Sequence, residues 1–420
     1  MSPSNWKAIL AYTLCLILAG CGAVPEDEPP AAVPEPGVPK QLQARQIIVA
    51  LSERLQPQWT PIAQDLATQY RLQPVGKFPL TSIQVQCLVY QVPPDQPLEA
   101  LVARLQRDPR VELVQTNRLF EGQQAAPGDL YAALAYGVKL MRADQAHRLS
   151  TGRGVTVAVI DTGAETQHPD LQGQVRETAT FVEGGEASFD TDRHGTAVAG
   201  VIAARADGSG LAGVAPDARL TVAKACWYPD SANAKALCSS WTLAKAIDFV
   251  INHGAKVLNL SLGGRASDEL LARLLVAAEQ RGMVVVAATL EGRDEPGFPA
   301  SLETVIPVMA CDANGRIQTP RWRGPSFVAA APGIEVVAPI PHSRHTLISG
   351  SSLAAAHVSG VVALLLQQTP DLTPRQIKAL LQATARPVAN PPPPAATDPI
   401  IGLVDACTAL ARHAPGLTCH

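Results

Sequence analysis

The sequence has almost no excess of charge and few cysteines. Lysine and arginine total 34 against 37 acidic residues, so the net charge is -3 over 420 residues. Because a basic surplus is missing, we predict no nucleic-acid partner. Eight cysteines are too few for a disulfide scaffold at this length. The chain does have 47% hydrophobic residues, which excludes general disorder, and its length predicts two or three domains.

The first twenty residues have the pattern of an export signal. One positive charge within residues 1–7 precedes the apolar residues 8–20, which as a helix would be about 20 Å long. That is short of the roughly 30 Å bilayer core, so residues 1–20 are predicted to be a signal peptide. Leu18-Ala19-Gly20-Cys21 resembles the lipobox of bacterial lipoproteins, which implies cleavage before Cys21 and a lipid on its thiol. The alternative is an ordinary secretory signal with a chance cysteine.

A lipidated Cys21 would anchor the protein to a membrane of a bacterial cell envelope, exposed to the periplasm or the exterior. Gly22 lacks the acidic residue that retains many lipoproteins at the inner membrane, which favours the outer membrane. Residues 21–44 contain clustered prolines and acidic residues, so this segment is expected to be an extended tether.

The rest of the chain divides into two folded parts. Residues 45–120 read as strand, helix, strand, helix, strand, which predicts a small α+β domain, and the polar residues 121–128 read as a linker. From 129 to 386 buried β runs alternate with amphipathic helices. This alternation predicts a doubly wound α/β domain with a mainly parallel sheet. A second proline cluster then begins a C-terminal extension, residues 387–420.

Three short motifs in the large domain carry groups suited to acyl transfer. Asp161-Thr162-Gly163 follows a buried strand, at the edge where α/β sheets place functional groups. His194-Gly195-Thr196 opens a helix. Gly350-Ser351-Ser352 precedes a long helix whose N-terminal N–H groups suit a developing oxyanion. Each motif alone also fits a turn or a helix cap, but their joint occurrence, once each and in the order Asp, His, Ser, favours a catalytic site.

These segments resemble the three active-site signatures of the subtilisin-like serine peptidases, the subtilases. Gly213-Val214-Ala215-Pro216 resembles a loop before a family core strand, and Ser261-Leu262-Gly263-Gly264 resembles the strand that binds substrate in the cleft. The resemblance covers about residues 136–385. Residues 45–120 are also similar to the family's ferredoxin-like inhibitory propeptide, which would make the protein its own intramolecular inhibitor.

The resemblance implies a serine endopeptidase that acts on polypeptides. Ser352 would attack the peptide carbonyl, His194 would take and return the proton, and Asp161 would orient the imidazole. Ser351 is a rival nucleophile, but the family pattern places threonine there and the nucleophile next. If the domain at 45–120 is inhibitory, self-cleavage is expected near residues 123–129.

One departure from the family concerns the oxyanion donor. Where subtilases carry an asparagine after a strand, this chain reads Ala288-Thr289-Leu290-Glu291, so Leu290 occupies that position. Loss of such a donor costs about 2.7–4 kcal/mol, although Thr289 or Arg293 could supply another one. A slow or narrowly selective peptidase is therefore expected. The alternatives are a peptide-binding pseudoenzyme and an aspartic protease, but the latter needs two facing carboxylates and only one Asp-Thr-Gly occurs.

The remaining expectations concern metals, cofactors and cysteines. No cofactor is expected; calcium sites are frequent in the resembled family, but no carboxylate cluster identifies one, so no metal is assigned. Six cysteines remain after Cys15 leaves with the signal and Cys21 takes the lipid. Fifteen pairings of six are formally possible. The local pairs Cys226–Cys238 and Cys407–Cys419, each 12 residues apart, are preferred.

Overall fold

Two sheets organise the chain, a small antiparallel sheet near the N-terminus and a large, mainly parallel one after it. The computed structural model describes residues 45–122, 136–208, 210–229, 235–293, 295–318, 326–391, 399–413 and 418–419. Cys21 and the predicted signal and tether, residues 1–44, lie outside the described residues, as does most of the predicted linker. All described residues belong to one compact unit, residues 38–420.

The first described segment, here called the N-terminal subdomain, packs two helices on a four-stranded sheet. Its elements are β1 (Gln46–Ser52), a 3-10 helix (Glu53–Gln58), α1 (Trp59–Gln69), β2 (Gln73–Leu80), β3 (Val85–Gln91), α2 (Leu98–Leu105) and β4 (Leu113–Thr116). The strand order is β2-β3-β1-β4, with antiparallel neighbours throughout. The βαββαβ sequence of elements in this order is ferredoxin-like, as expected.

The subdomain has one strand more than the sequence pattern predicts. The missed strand, β2, contains Pro74, Gly76 and Pro79, which interrupt the alternation of polar and apolar residues. These residues are compatible with a strand here because β2 lies at the edge of the sheet, where a missing N–H costs no internal ladder bond.

The larger part of the fold, here called the main subdomain, follows the predicted alternation of strands and helices. Strand β5 (Leu119–Gly122) ends the N-terminal segment. The elements of the main subdomain up to the middle of the sheet are α3 (Tyr136–Leu140), α4 (Ala143–Ala146), β6 (Thr156–Asp161), β7 (Val175–Thr180), a 3-10 helix (Gly185–Thr191), α5 (Arg193–Ala203), β8 (Arg219–Lys224), β9 (Cys226–Trp227), β10 (Leu237–Ser239), α6 (Ser240–Asn252) and β11 (Val257–Leu260). The remaining elements are β12 (Leu262–Gly263), α7 (Glu269–Gln280), β13 (Val284–Ala288), β14 (Val305–Cys311), β15 (Phe327–Pro332), β16 (Val336–Ile340), β17 (Arg344–Ile348), α8 (Ser351–Gln368), α9 (Pro374–Thr384), β18 (Arg386–Pro387), β19 (Ile400–Leu403) and α10 (Ala406–Ala411).

The central sheet has nine strands in the order β18-β19-β15-β14-β13-β11-β6-β8-β7. Every described pairing is parallel except that of β18 with β19. The inner strands are buried on both faces: α5 and α8 share one apolar cluster, and α6 and α7 share the cluster on the opposite face. This arrangement confirms the predicted doubly wound, mainly parallel α/β fold.

Helix α8 runs through the core next to the sheet. Among the described residues it is the helix with the length and mean hydropathy, 1.2, of a membrane span. However, 89% of that stretch is buried inside the fold, and residues 351–366 are all buried. Its apolar composition therefore reflects its position in the core of the main subdomain.

The sheet continues past residue 386, the predicted end of the large domain. Strand β19 adds to the sheet in parallel to β15, with Phe327 opposite Ile400, and α10 packs against α8. The chain therefore returns after the prolines to complete the edge of the same sheet. The predicted linker at 121–128 likewise begins inside a strand, because β5 extends to Gly122.

Candidate active site

Asp161 is the last residue of β6, a strand near the middle of the sheet. Its side chain is buried, and its Oδ1 accepts a 2.7 Å hydrogen bond from the backbone N–H of Thr162. The turn after β6 uses Gly163 at a φ of 124°, a conformation that disfavours other residues. The carboxylate is therefore held rigidly at the carboxyl end of a parallel sheet, the edge that binds ligands in such folds.

His194 lies in the first turn of α5 and contacts Asp161 directly. The distance from His194 Nδ1 to Asp161 Oδ1 is 2.7 Å, and both side chains are buried. With a proton on Nδ1 donated to the carboxylate, the neutral ring carries its lone pair on Nε2. His194 Nε2 is buried and has no hydrogen-bond partner in the described part of the chain, so it can accept a proton from a neighbouring hydroxyl.

Ser352 lies in the first turn of α8 and is fully buried. Its Oγ donates to the carbonyl of Ser261 at 3.1 Å, and Ser261 Oγ donates to the carbonyl of Ser352 at 2.9 Å. Ser261 follows β11, in which Leu260 is the register partner of Ile160, the residue before Asp161. The register therefore brings Ser352 to the same edge of the sheet as the Asp161–His194 pair.

The contacts of Ser351 argue against it as the nucleophile. Its hydroxyl donates to the carbonyl of Thr289 at 2.7 Å, and its backbone N–H donates to the Glu291 carboxylate at 2.8 Å. The Ser352 hydroxyl also donates to a carbonyl, but at a longer 3.1 Å, and its acceptor Ser261 follows β11, the strand next to the one that carries Asp161. Of the two adjacent serines, the geometry therefore favours Ser352.

The predicted cleft strand, Ser261 to Gly264, lies beside the N-terminal segment of the chain. Strand β12 pairs with β5 in antiparallel orientation, with Leu262 opposite Gly122. On its other side β5 pairs with β10, with Cys238 opposite Phe120. The segment Leu119–Gly122 is thus the middle strand of a small sheet whose other strands belong to the main subdomain, as a bound peptide would be.

The side chain of Phe120 packs into an apolar cluster of the main subdomain. Phe120 is 1% exposed, and its ring lies 5.8 Å from that of Phe298. Both rings line a small apolar cavity together with Leu243, Ile247, Leu260, Leu262, Leu271, Leu275 and Pro299. The contact adds a buried aromatic anchor to the backbone pairing of β5.

Leu290 is packed between two glycines of the cleft rather than offering a hydrogen bond. A Cβ placed on Gly263 would lie 3.1 Å from Leu290 Cδ2, and one placed on Gly297 would overlap Leu290 Cδ1. The neighbouring Thr289 uses its backbone N–H for Val308 and its carbonyl for Ser351. An isobutyl group therefore occupies the space beside the start of α8.

The sequence pattern missed a buried ion pair next to the site. Lys224, at the end of β8, is 1% exposed, and its Nζ donates to the Asp192 carboxylate and to the carbonyl of Thr162. Burial raises the pKa of Asp192 to about 6, against the opposing effect of the Lys224 charge. The sequence does contain a signal for this pair: a lysine at the end of an apolar strand predicts a buried cation, and a buried cation needs a buried anion.

The cysteine expectations agree with the structure where it describes them. Cys226 is bonded to Cys238 and Cys407 to Cys419, while Cys87 and Cys311 are buried free thiols. Among the described residues no group of three His, Cys, Asp or Glu side chains converges as a metal site requires. We therefore assign no calcium ligand.

Comparison with known proteins gives consistent matches to one family. A model described as the subtilase family matches residues 152–403. The thermophilic serine proteinase of Bacillus sp. (strain AK1) is 35% identical over 274 residues, which are 64% of this chain and 67% of that protein. Subtilisin BL of Lederbergia lenta is 36% identical over 255 residues, 60% of this chain and 91% of that protein. The crystal structure of fervidolysin from Fervidobacterium pennivorans matches at a TM-score of 0.68 and 24% identity, over 87% of this chain and 60% of that chain.

Proposed function

The chain belongs to the subtilase family and is a serine-type endopeptidase, and from this premise we propose that Asp161, His194 and Ser352 are its catalytic residues. The observation that carries the assignment is the 2.7 Å contact of His194 Nδ1 with Asp161, which leaves Nε2 to act as the base. Ser352, at the N-terminus of α8, supplies the hydroxyl.

The proposed reaction is acyl transfer from a polypeptide substrate to Ser352 and then to water. Ser352 Oγ bonds to the scissile carbonyl carbon while its proton passes to His194 Nε2. When the C–N bond breaks, His194 returns that proton to the leaving amine. Water then attacks the acyl-enzyme with His194 again as base, which releases the carboxylic acid and restores the serine. Asp161 keeps the ring oriented and stabilises its cationic form; no cofactor takes part.

We further propose that the N-terminal subdomain inhibits the enzyme until it is cut. Strand β5 lies between β10 and β12, so its backbone takes the hydrogen bonds a substrate strand would take. Among the side-chain contacts that hold the subdomain in place, Asn117 Oδ1 accepts from Trp241 N at 3.3 Å, and Gln115 Oε1 accepts from Leu270 N at 3.0 Å. Cleavage near residues 123–129 would free the cleft end of β5.

The proposed location is the bacterial cell envelope, with the chain anchored through lipid on Cys21 and most consistent with the outer membrane. The tether would then hold the folded part away from the lipid surface. A Cys21→Ala variant would move from the membrane fraction to the soluble fraction after cell breakage. Wild-type and variant proteins found in the same fraction would contradict the anchor.

The test of the catalytic assignment is labelling with a serine-directed fluorophosphonate. Wild type and Ser351→Ala are expected to bond the probe, and Ser352→Ala is not; the mass of each chain reports processing in the same samples. Wild type should lose residues up to the 123–129 region, while Ser352→Ala stays at the length left by signal cleavage. Labelling of Ser352→Ala at the wild-type rate would overturn the assignment.

Leu290 favours a second candidate, a subtilase-like protein that binds peptides without turning them over. In that case folded wild type would bind peptides but take no fluorophosphonate label. The same experiment therefore separates the two functions, because only an activated Ser352 reacts.

A further inference from the structure

We propose that Lys224 and Asp192 are positioning residues: their buried ion pair fixes Asp161 relative to His194. This inference rests on the proposed function, and its test is chosen so that the two can fail separately.

Lys224 is placed beside the catalytic carboxylate by strand register. Strands β6 and β8 are parallel neighbours, and Asp161 is the register partner of Lys224. The backbone N–H of Ala225 donates to the carbonyl of Asp161 at 2.8 Å, which continues the ladder past the last paired residue. A cation therefore ends the strand next to the one that carries Asp161, on the same edge of the sheet.

The ammonium group connects the two segments that carry Asp161 and His194. Lys224 Nζ donates to the carbonyl of Thr162, the residue after Asp161, and to the carboxylate of Asp192, two residues before His194. Asp192 is at the N-cap position of α5, yet its side chain makes no cap hydrogen bond. Its carboxylate serves Lys224, while its carbonyl accepts from Thr196 Oγ1 at 2.6 Å.

The surrounding packing leaves the pair little freedom. A Cβ added to Gly163 would lie 2.8 Å from Asp192 Oδ2, and one added to Gly185 would lie 2.9 Å from Lys224 Cε. A buried ion pair is weak as a source of stability, because desolvation offsets its attraction. Its position between the two segments is better explained by the alignment it imposes on Asp161 and His194.

The test measures peptide hydrolysis and fluorophosphonate labelling by the full chain, because misalignment of Asp161 and His194 slows the chemical step without changing how a peptide binds. The double variant Lys224→Met with Asp192→Asn removes both charges. Its kcat and its labelling rate should fall about tenfold or more, while KM for peptides stays close to that of wild type.

Asp405→Asn is the matched control. Asp405 is fully buried and pairs with Arg386 at 2.9 Å, but four strands separate β19 from β6 in the sheet. This variant should lower thermal stability without lowering kcat or the labelling rate. Thermal unfolding of every variant identifies any that fails to fold, and the double variant avoids an unpaired buried charge.

The outcomes separate the two proposals. If wild type takes no label, the catalytic assignment fails. If wild type labels at Ser352 but the double variant keeps the wild-type kcat, or Asp405→Asn lowers kcat equally, the role of the ion pair is wrong and the catalytic assignment stands.

Discussion

The ring of Phe120 lies 5.8 Å from the ring of Phe298, so the N-terminal segment places an aromatic side chain inside the main subdomain. Phe120 belongs to β5, which pairs with strands on both sides. Backbone pairing alone would hold any sequence, whereas a buried aromatic side chain adds specificity. This anchor leads to the first prediction.

Replacing Phe120 with alanine should weaken the hold of the N-terminal subdomain on the cleft. Truncating a buried phenylalanine costs about 3–5 kcal/mol, so unprocessed Phe120→Ala chains should label with fluorophosphonate markedly faster than unprocessed wild type. Leu119→Ala is the matched control, because the adjacent Leu119 is 49% exposed and its removal should change the rate little. Equal rates for both variants would mean that Phe120 does not close the cleft.

Two substitutions at Leu290 distinguish the loss of an oxyanion hydrogen-bond donor from steric obstruction of the cleft by the leucine side chain. Restoring a donor with Leu290→Asn should raise peptide hydrolysis by roughly 10²–10³, the usual cost of one lost oxyanion donor. Leu290→Ala opens the same space between Gly263 and Gly297 without adding a donor. If the alanine variant gains as much as the asparagine variant, the limit is steric and the oxyanion explanation is wrong.

The three motifs and the alternation of elements predicted the α/β fold, because each motif follows or opens an element with a clear apolar pattern. Strand β2 was not predicted because Pro74 and Pro79 are compatible with a strand only at the edge of a sheet. The position of a strand within its sheet depends on the tertiary fold and cannot be read from the local sequence. The buried pair of Lys224 with Asp192 escaped prediction for a related reason. Asp192 is 32 residues away in sequence, at the N-cap of α5, and only the tertiary fold places it beside the end of β8.

A pH-dependent prediction concerns the N-terminal subdomain. The Arg110 guanidinium, through its hydrogen bonds, lowers the pKa of Asp108 to about 2, against roughly 3.9 in an unfolded chain. A lowered folded-state pKa stabilises the fold above the unfolded value, so this contribution is present above about pH 4 and is lost as the pH falls toward 2. Wild type should therefore exceed Asp108→Asn in urea midpoint at pH 5, and the difference should shrink by pH 3.

The control for this prediction is Asp95→Asn. Asp95 pairs with Arg71 at 2.7 Å, but its side chain is 58% exposed, so the pair is screened by solvent. Its urea midpoint should match wild type at both pH values. A difference between wild type and Asp108→Asn that stays constant from pH 5 to pH 3 would contradict the ionic contribution of Asp108.

The disulfide Cys226–Cys238 yields the last prediction, because it braces one wall of the cleft. Cys238 lies in β10 directly opposite Phe120, and Cys226 lies in the adjacent β9. A bridge that closes a loop of this size contributes about 3 kcal/mol, and without it β10 should pair less firmly with a substrate strand. The double variant Cys226→Ser, Cys238→Ser should raise KM for peptides several-fold while fluorophosphonate labelling of Ser352 changes little.

Cys407→Ser with Cys419→Ser removes a bridge of equal sequence separation, 12 residues, next to α10. This control should lower thermal stability and leave KM unchanged; a KM change of the same size in both double variants would show that the bridge near the cleft has no specific effect on substrate binding.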